Sequence, residues 1–180
     1  MGLFEPDVTP TIKAASISEC KKYRYRLTRY WGPGRFLPFV MLNPSTADAS
    51  VDDPTIRRCM SFARREGAGG IVVGNLCAFR SPSPRDLGFA DDPYGPNNQN
   101  ALWEIAVGAV ADEMPVVCAW GTHGDGREHW ALGMFETENV RLVCLGKTAG
   151  GHPRHPLYVK GNQPLEPFHL VGSPKQQEVS

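Results

Sequence analysis

Short apolar runs alternate with amphipathic stretches along most of the chain. Runs at 36–42, 71–73, 115–120 and 140–145 have the length and composition of buried strands. Apolar residues at helical spacing follow Asp53, Asn97 or Asn98, and Arg127, which predicts a helix after each of the first three strands. This alternation is typical of a parallel sheet with helices on both faces. We therefore expect a three-layer α/β/α fold with a central, mostly parallel four-stranded sheet.

The segments outside these runs predict the domain boundaries. Residues 21–31 alternate with period two, which indicates a half-buried N-terminal edge strand, or a hairpin formed with the strand at 36–42. On this pattern Tyr25 and Leu27 share one face and Arg24 and Arg26 the other. We expect an irregular or strand-like lead-in at 1–18, a single domain at 19–170 and a C-terminal tail at 171–180.

Composition narrows the class of protein. With 180 residues, 41% hydrophobic and 21% charged, the chain is typical of one soluble globular domain. The sequence has neither an apolar run of membrane-spanning length nor a signal-peptide pattern, so we expect a cytoplasmic protein without membrane contact. Five cysteines without paired short spacing argue against a disulfide framework or a zinc ribbon. Cys77, Cys118 and Cys144 lie in strand-like runs, where free thiols are typical core residues.

The net charge of zero argues against avid non-specific binding to nucleic acid, which requires a basic excess. It leaves room for a local basic face. The candidate residues are Lys21, Lys22, Arg24, Arg57, Arg58, Arg64 and Arg65. Either they form a basic rim near a binding crevice, or they are a solvated helix face of the ordinary kind.

Polar residues follow each of the four apolar runs. Asn43 follows the first and Asn75 the second, Trp120 and Gly121 end the third, and the segment 152–155 comes after the fourth. The carboxyl ends of parallel strands meet at one edge of a sheet, where ligands bind in the crevice. The sequence therefore predicts one site built from these four loops.

Each asparagine has two interpretations. Pro44 should hold Asn43 in an extended conformation, from which its amide could position water or substrate. Asn43 could equally be an ordinary turn residue, since Asn-Pro-Ser is common turn chemistry. Asn75 either satisfies neighbouring backbone groups or recognises a ligand edge that presents a donor and an acceptor.

The segment from His152 to Pro156 holds two imidazoles and Arg154 between two prolines. Histidine can act as a general acid or base, or donate to a developing anion. A metal site formed by His152, His155, His123 and His129 is a competing hypothesis, but the segment lacks the H-E-x-x-H pattern. We expect neither a metal nor another cofactor.

Three carboxylates, Asp48, Asp52 and Asp53, follow the first apolar run. Clustered carboxylates could hold Mg²⁺ for phosphoryl chemistry. Asp53 is explained more simply as the cap of the helix that follows it. A metal-dependent phosphodiesterase is therefore the least favoured of the functions considered.

Several motifs resemble those of a family of small bacterial and phage proteins known as a domain of unknown function. The similar segments are 39–48, 53–58, 74–76, 119–121 and 151–158, and the resemblance extends over residues 20–167. More distantly, the order of motifs is similar to that of the uracil-DNA glycosylase superfamily. That resemblance implies a parallel sheet flanked by helices, with a base bound at the strand ends.

The distant resemblance also implies roles for individual residues. Asn43, followed by Pro44, Ser45 and Thr46, stands where the superfamily positions the attacking water, and Asp48 could help to activate it. Asn75 would hydrogen-bond the base edge, and Arg80 lies in a run similar to N-x-x-x-x-R-P. Trp120 and Gly121 resemble a strand ending in L-G, and Phe79 is a candidate for stacking on the base. His155 or His152, with Arg154 between them, would be the counterpart of an H-P-S-P loop that donates to the base carbonyl and enters the minor groove.

Two positions depart from the superfamily pattern: Met41 replaces a glycine before Asn43, and Ser45 follows Pro44. The resemblance predicts a DNA glycosylase-like hydrolase that cleaves the N-glycosidic bond of a damaged or modified base. The alternative is a catalytically silent protein that binds a nucleotide or modified base. In both cases the expected partner is DNA or a nucleotide with a modified base, and the expected state is a monomer.

Overall fold

The computed structural model describes residues 9–45, 47–124 and 126–169. These residues form an α/β fold with one seven-stranded mixed sheet and three α-helices. The strands are β1 (Ile12–Ile17), β2 (Arg24–Tyr30), β3 (Phe36–Met41), β4 (Gly70–Asn75), β5 (Val116–Cys118), β6 (Leu142–Cys144) and β7 (Glu166–Pro167). The helices are α1 (Pro54–Arg65), α2 (Asn98–Ala111) and α3 (His129–Thr137). The expected tail at 171–180 lies outside the described residues.

The sheet has the strand order β1-β2-β4-β3-β5-β6-β7. Its neighbouring strands β4, β3, β5 and β6 are parallel and correspond to the four predicted apolar runs. The pairs β1–β2, β2–β4 and β6–β7 are antiparallel, so the prediction of a four-stranded sheet is wrong in the number of strands. The added strand β7 has only two residues, and β1 lies within the expected lead-in and alternates only between exposed and half-buried positions. Neither gives a strong apolar signal in the sequence.

Strand β2 is not an edge strand and does not form a hairpin with β3. It lies between β1 and β4, and β4 separates it from β3. The edge of the sheet is therefore an antiparallel β1–β2 pair. Its register shifts between Ser16 and Ile17, whose partners are Arg26 and Arg24, so Tyr25 is an extra residue in β2. A bulge of this kind changes which face the following side chains occupy.

The core consists of two hydrophobic clusters separated by the sheet. Phe39 and Met41 of β3 pack with residues of α1, whereas Val40 packs with residues of α2 and α3. This division follows from the alternation of side chains along a strand. Cys77, Cys118 and Cys144 are buried free thiols, as predicted.

Helix α1 begins as the sequence predicts. The Asp53 carboxylate accepts a hydrogen bond from the Ile56 backbone N–H at 2.8 Å, and Pro54 occupies the first turn. Asp53 satisfies one of the free N–H groups at the helix N-terminus. Across residues 9–45, 47–124 and 126–169, no helix combines the length and apolarity needed to cross a membrane.

Candidate functional site

The loops that follow β3 and β4 are joined by a reciprocal pair of hydrogen bonds. Asn43 Nδ2 donates to the Ser81 carbonyl at 2.9 Å, and the Ser81 N–H donates to the Pro44 carbonyl at 2.9 Å. Asn43 is therefore held at the end of β3 through its amide nitrogen, which leaves Oδ1 as the group available to a water or ligand. Ser45 is half-buried next to it, and the predicted substrate residue Thr46 lies outside the described residues.

Two buried polar side chains, Arg24 and Asn75, lie beside these loops. Arg24 is 2% exposed and Asn75 is 1% exposed. Arg24 Nη2 donates to Asn75 Oδ1 at 3.5 Å, and its Nη1 donates to the Ala47 carbonyl at 2.6 Å. Arg24 thus connects the end of β4 to the loop after β3. The prediction of Arg24 on a solvent-facing rim is wrong, because the bulge and the 47–53 segment enclose its guanidinium.

Burial lowers the pKa of Arg24 to about 10, and nearby Asp53 opposes this effect. The guanidinium therefore remains a cation at neutral pH. The Nε of Arg24 and the Nδ2 of Asn75 are both buried and lack a hydrogen-bond partner among the described residues. Buried N–H groups without partners are rare in native proteins, so this pair is unusual.

Asn98 anchors the end of β4 from helix α2. Its Nδ2 donates to the carbonyls of Asn75 and Leu76 at 2.9 and 3.1 Å. The sequence marked Asn97 or Asn98 as a helix cap, but Asn97 makes no side-chain capping bond and Asn98 is buried. Asn98 instead fixes the backbone that carries the Asn75 side chain.

Asp48, a predicted catalytic residue, accepts hydrogen bonds from its own loop. Its carboxylate accepts hydrogen bonds from the N–H and the hydroxyl of Ser50 at 2.7 and 2.9 Å, and from the N–H of Val51 at 2.9 Å. The backbone bonds from Ser50 and Val51 are the main reason that the pKa of Asp48 falls to about 2. The carboxylate is therefore ionised at neutral pH and is a weak proton acceptor.

A second buried arginine, which the sequence pattern did not single out, fixes the rest of this loop. Arg29 donates from Nε to Asp52 Oδ1 at 2.5 Å and from Nη2 to the Asp48 carbonyl at 2.5 Å. Lys13 Nζ donates to the other Asp52 oxygen at 2.7 Å. Burial tends to raise the pKa of Asp52, but the hydrogen bonds from Lys13 and Arg29 outweigh it and leave the pKa below its usual value.

The ends of β5 and of the histidine loop meet at Gly121 and His155. The Gly121 N–H donates to the Pro153 carbonyl at 2.9 Å. A β carbon added at Gly121, whose φ is +72°, would lie 3.7 Å from His155 Cβ. His155 is thus the histidine that lies beside the end of a central strand.

One ring nitrogen of His155 accepts a backbone hydrogen bond, and the other is available to a ligand. The Leu157 N–H donates to His155 Nδ1 at 3.4 Å, so the neutral ring carries its proton on Nε2. Burial lowers the pKa of His155, and the charge of Asp53 opposes this. His155 is therefore neutral at pH 7 and can donate a hydrogen bond from Nε2.

The other two predicted residues of this loop have backbone roles. The His152 N–H donates to Thr148 Oγ1 at 3.2 Å, within the turn that precedes Pro153. Arg154 is exposed, and its Nε donates to the Lys147 carbonyl at 3.0 Å. The His152 side chain is half-buried and lies next to Gly150, whereas that of Arg154 is exposed.

The aromatic candidates pack against other rings. Trp120 is 2% exposed and meets Phe168 edge-to-face with ring centroids 5.5 Å apart, which makes Trp120 a core residue with no open face for a base. Phe79 is half-buried and meets Tyr23 edge-on at 6.2 Å. Arg80 donates from Nη1 to the Lys21 carbonyl at 3.2 Å, so it joins the 79–81 segment to the turn before β2.

Two arginines of α1, Arg58 and Arg65, are not part of a free basic rim. Arg58 Nη2 donates to the Val159 carbonyl at 2.5 Å, and Arg65 Nη1 donates to the Gln163 carbonyl at 2.6 Å. Both also lie over the ring of Phe62. These side chains hold the 156–163 segment against α1, since their donors find backbone carbonyls there. Exposed cations in or beside the loops include Lys21, Lys22, Arg57, Arg85, Lys147 and Arg154.

Two cavities lie away from the predicted residues. A groove of about 730 Å³ is lined by residues that include Cys20, Tyr23, Tyr25 and Asn100, and a smaller cavity of about 230 Å³ lies between the sheet and α2. Neither is lined by Asn43, Asn75 or His155. Among the residues that the structure describes, no group of three or more His, Cys, Asp or Glu side chains could hold a metal ion.

The fold and these loops define an α/β protein with polar side chains gathered at the carboxyl ends of its parallel strands. Residues 24–157, which are more than half of the chain, match the family described as protein of unknown function DUF1643. The chain therefore belongs to this family, and the resemblance to a domain of unknown function is confirmed. No curated protein and no solved structure matches the chain.

Proposed function

We propose that this protein is a DNA glycosylase-like hydrolase that cleaves the N-glycosidic bond of a damaged or modified base. On this proposal the fold is a three-layer arrangement like that of the uracil-DNA glycosylase superfamily. The observation that carries the proposal is a pair of hydrogen-bonded junctions between strand-end loops. Asn43 is joined to Ser81, and Gly121 is joined to Pro153 next to His155. A base bound between these two junctions would be contacted by groups from four separate loops.

The protonation and the existing hydrogen bonds of each side chain determine the role that we assign to it. As the glycosidic bond breaks, negative charge develops on the departing base, and the neutral His155 would donate to it from Nε2. Asn43 would orient the attacking water through Oδ1, because its Nδ2 already donates to the Ser81 carbonyl. Asn75 would hydrogen-bond the edge of the base.

The surroundings of the site suit a strand of nucleic acid. Leu157 and Tyr158 lie two and three residues after His155 and are exposed, Tyr158 by 80%. Apolar wedges of this kind can enter the minor groove and unstack bases. Exposed Lys21, Lys22 and Lys147 would attract phosphates on either side.

A second candidate function is binding of a nucleotide or modified base without cleavage. Two observations favour it. Asp48 is engaged by Ser50 and Val51 and has a pKa of about 2, and an asparagine amide is a weak base. The site would then recognise the base without activating water.

The test is to incubate the pure protein, with EDTA, with single- and double-stranded oligonucleotides that carry a panel of deaminated and phage-type modified bases. Mass spectrometry detects free base and abasic sites. We expect base release from at least one member of the panel. His155→Ala should lower the single-turnover rate by about 10²–10³-fold, the usual loss when one donor to a developing anion is removed.

Matched controls separate catalysis from folding. His169→Ala and Asn100→Ala remove an exposed histidine near the start of β6 and an exposed asparagine of α2, both away from the junctions, and both should keep the wild-type rate. Full activity in Asn43→Ala or His155→Ala would contradict the glycosylase assignment. Binding of an oligonucleotide without any base release would favour the second candidate function.

A further inference from the structure

Arg24 and Asn75 form a pair of buried neighbours whose hydrogen-bonding capacity is incompletely used. Arg24 Nη2 donates to Asn75 Oδ1 at 3.5 Å. Arg24 Nε and Asn75 Nδ2 are both buried, and neither has a partner among residues 9–45, 47–124 and 126–169. The structure therefore leaves two unused N–H groups on side chains that touch each other.

The chemistry of the pair determines what could satisfy it. A guanidinium has only donors, so it faces the oxygen of the Asn75 amide and leaves the NH₂ group for another partner. The remaining Arg24 Nε–H is also a donor. Both unused groups are donors and require an acceptor, and the positive charge of Arg24 strengthens its hydrogen bond to that acceptor.

We propose that Arg24 is a ligand-binding residue and that Arg24 Nε and Asn75 Nδ2 together bind an acceptor on a heterocyclic base. The acceptor is an exocyclic carbonyl oxygen of the base. The proposal rests on the base binding proposed above and names the base edge that is selected. A base with an exocyclic amine at the same position presents another donor to these two donors and is rejected.

Arg24 also couples ligand binding to the loop after β3. Its Nη1 donates to the Ala47 carbonyl at 2.6 Å, and both unused nitrogens are closed to solvent. A ligand therefore reaches them only after a local movement, and the bond from Arg24 to Ala47 places the loop after β3 next to the pair. Ligand binding should change the environment of this loop as well as that of the two nitrogens.

The test uses ¹⁵N-labelled full-length protein and follows the NMR signals of Arg24 Nε–H and Asn75 Nδ2H₂. The probes are two nucleoside pairs that differ by a carbonyl or an amine, deoxyuridine against deoxycytidine and deoxyinosine against deoxyadenosine. We expect the carbonyl member of at least one pair to shift both signals, and its amine partner to shift neither. Shifts of equal size for both members of each pair would overturn the proposal.

No response to any probe would also overturn it, because the two donors would then hold an internal water only. Arg24→Lys keeps the positive charge but not the forked donor geometry, and should weaken binding of the responding nucleoside by about 10- to 100-fold. Arg26→Met, an exposed change on the same strand, should leave binding unchanged.

The outcome is distinguishable from that of the proposed hydrolase. If carbonyl nucleosides shift both signals but no oligonucleotide loses a base, the recognition stands and the hydrolase assignment fails. If bases are released from oligonucleotides but the NMR signals of Arg24 and Asn75 do not discriminate the nucleosides, the hydrolase stands and this inference fails.

Discussion

Arg29 and Asp52 form an ion pair with Arg29 Nε 2.5 Å from Asp52 Oδ1, and the Arg29 side chain is fully buried. Its other nitrogens donate to the carbonyls of Thr28, Asp48 and Val51. Every nitrogen of the Arg29 guanidinium group therefore has an acceptor, whereas Arg24 Nε has none among the described residues. Lys13 donates to the second Asp52 oxygen at 2.7 Å. This cluster joins β1 and β2 to the segment between β3 and α1, and so it fixes the loop that lies over Arg24.

Replacing Arg29 should strongly destabilise the protein. We expect Arg29→Met to lower the free energy of unfolding by about 3–5 kcal/mol, because it removes the buried cation that pairs with Asp52 and donates to four backbone carbonyls. The control is Arg26→Met, which removes an exposed pair with Glu104 and should cost less than about 1 kcal/mol. Urea unfolding followed by circular dichroism measures both. Equal losses in the two variants would contradict a structural role for the buried pair.

Asp48 should contribute to the loss of stability in acid. Its pKa in the folded protein is about 2, below the usual aspartate value of 3.8, because Ser50 and Val51 donate to the ionised form. Because the pKa of Asp48 is lower in the folded than in the unfolded protein, ionised Asp48 stabilises the folded state. This stabilisation is complete above the unfolded pKa and is lost as the pH falls through the folded pKa. Wild-type protein should therefore lose more stability between pH 4 and pH 2 than Asp48→Asn, which accepts hydrogen bonds without ionising.

Two measurements check this expectation. Carbon-detected NMR should give a titration midpoint for the Asp48 carboxyl near its folded pKa of about 2. Thermal unfolding at pH 6, 4 and 2 should show melting temperatures of wild type and Asp48→Asn that converge as the pH falls. A midpoint at the usual aspartate value would show that the loop hydrogen bonds do not stabilise the carboxylate.

Local patterns in the sequence predicted those elements whose signals lie within a few neighbouring residues. The apolar run at 36–42 became β3, and Asp53 with Pro54 opened α1, because strand burial and helix capping depend on adjacent positions. The order of the strands depends on long-range pairing, which no local pattern encodes. For this reason β4 was not expected between β2 and β3.

The candidate site was predictable only in part for the same reason. Asn43 and His155 could be selected because they follow strand-like runs or lie in a distinctive loop. Arg24 was expected on a rim because strict alternation along β2 places it on the face away from Leu27, whereas the extra residue at Tyr25 breaks that alternation. Arg29 shares the face of Leu27, but the pattern did not single it out. The burial of both arginines also depends on the 47–52 segment, which is distant in sequence from β2.

Cys20 should be the one thiol that reacts in the native protein. It is exposed, whereas Cys59, Cys77, Cys118 and Cys144 are buried. The Ser18 hydroxyl lies 3.3 Å from Cys20 Sγ and lowers its pKa, whereas burial raises the pKa of each of the other four thiols. Since the thiolate is the nucleophile, iodoacetamide at pH 7.5 should add one label to the native protein.

The control for this labelling is Cys20→Ser, which should take no label under the same conditions. In denaturant the wild-type protein should take five labels, since it has five free cysteines. Intact-protein mass spectrometry counts the labels. Rapid addition of a second label to the native protein would mean that one of the buried thiols is accessible to solvent.

Gly69 and Gly108 should respond to alanine in opposite directions. A β carbon at Gly69 would overlap the Gly32 carbonyl oxygen and lie 2.9 Å from the Gly34 nitrogen, both backbone atoms that cannot rotate away. We expect Gly69→Ala to cost about 1–3 kcal/mol, the usual cost of overpacking. Gly108 lies within α2 and has nothing within 4 Å of an added β carbon, so Gly108→Ala should stabilise the protein by about 0.5–1 kcal/mol.

The test depends on the sign of the change in stability, because both substitutions add one methyl group. At Gly69 the methyl disturbs the turn in which Trp31 N–H donates to the Gly69 carbonyl at 2.9 Å and Gly69 N–H donates to the Arg35 carbonyl at 3.0 Å. At Gly108 the methyl removes only the conformational freedom of glycine in the unfolded chain. Urea unfolding should therefore move the midpoint down for Gly69→Ala and up for Gly108→Ala. A stable Gly69→Ala protein would mean that the β2–β3 connection and the start of β4 lie farther apart than the structure places them.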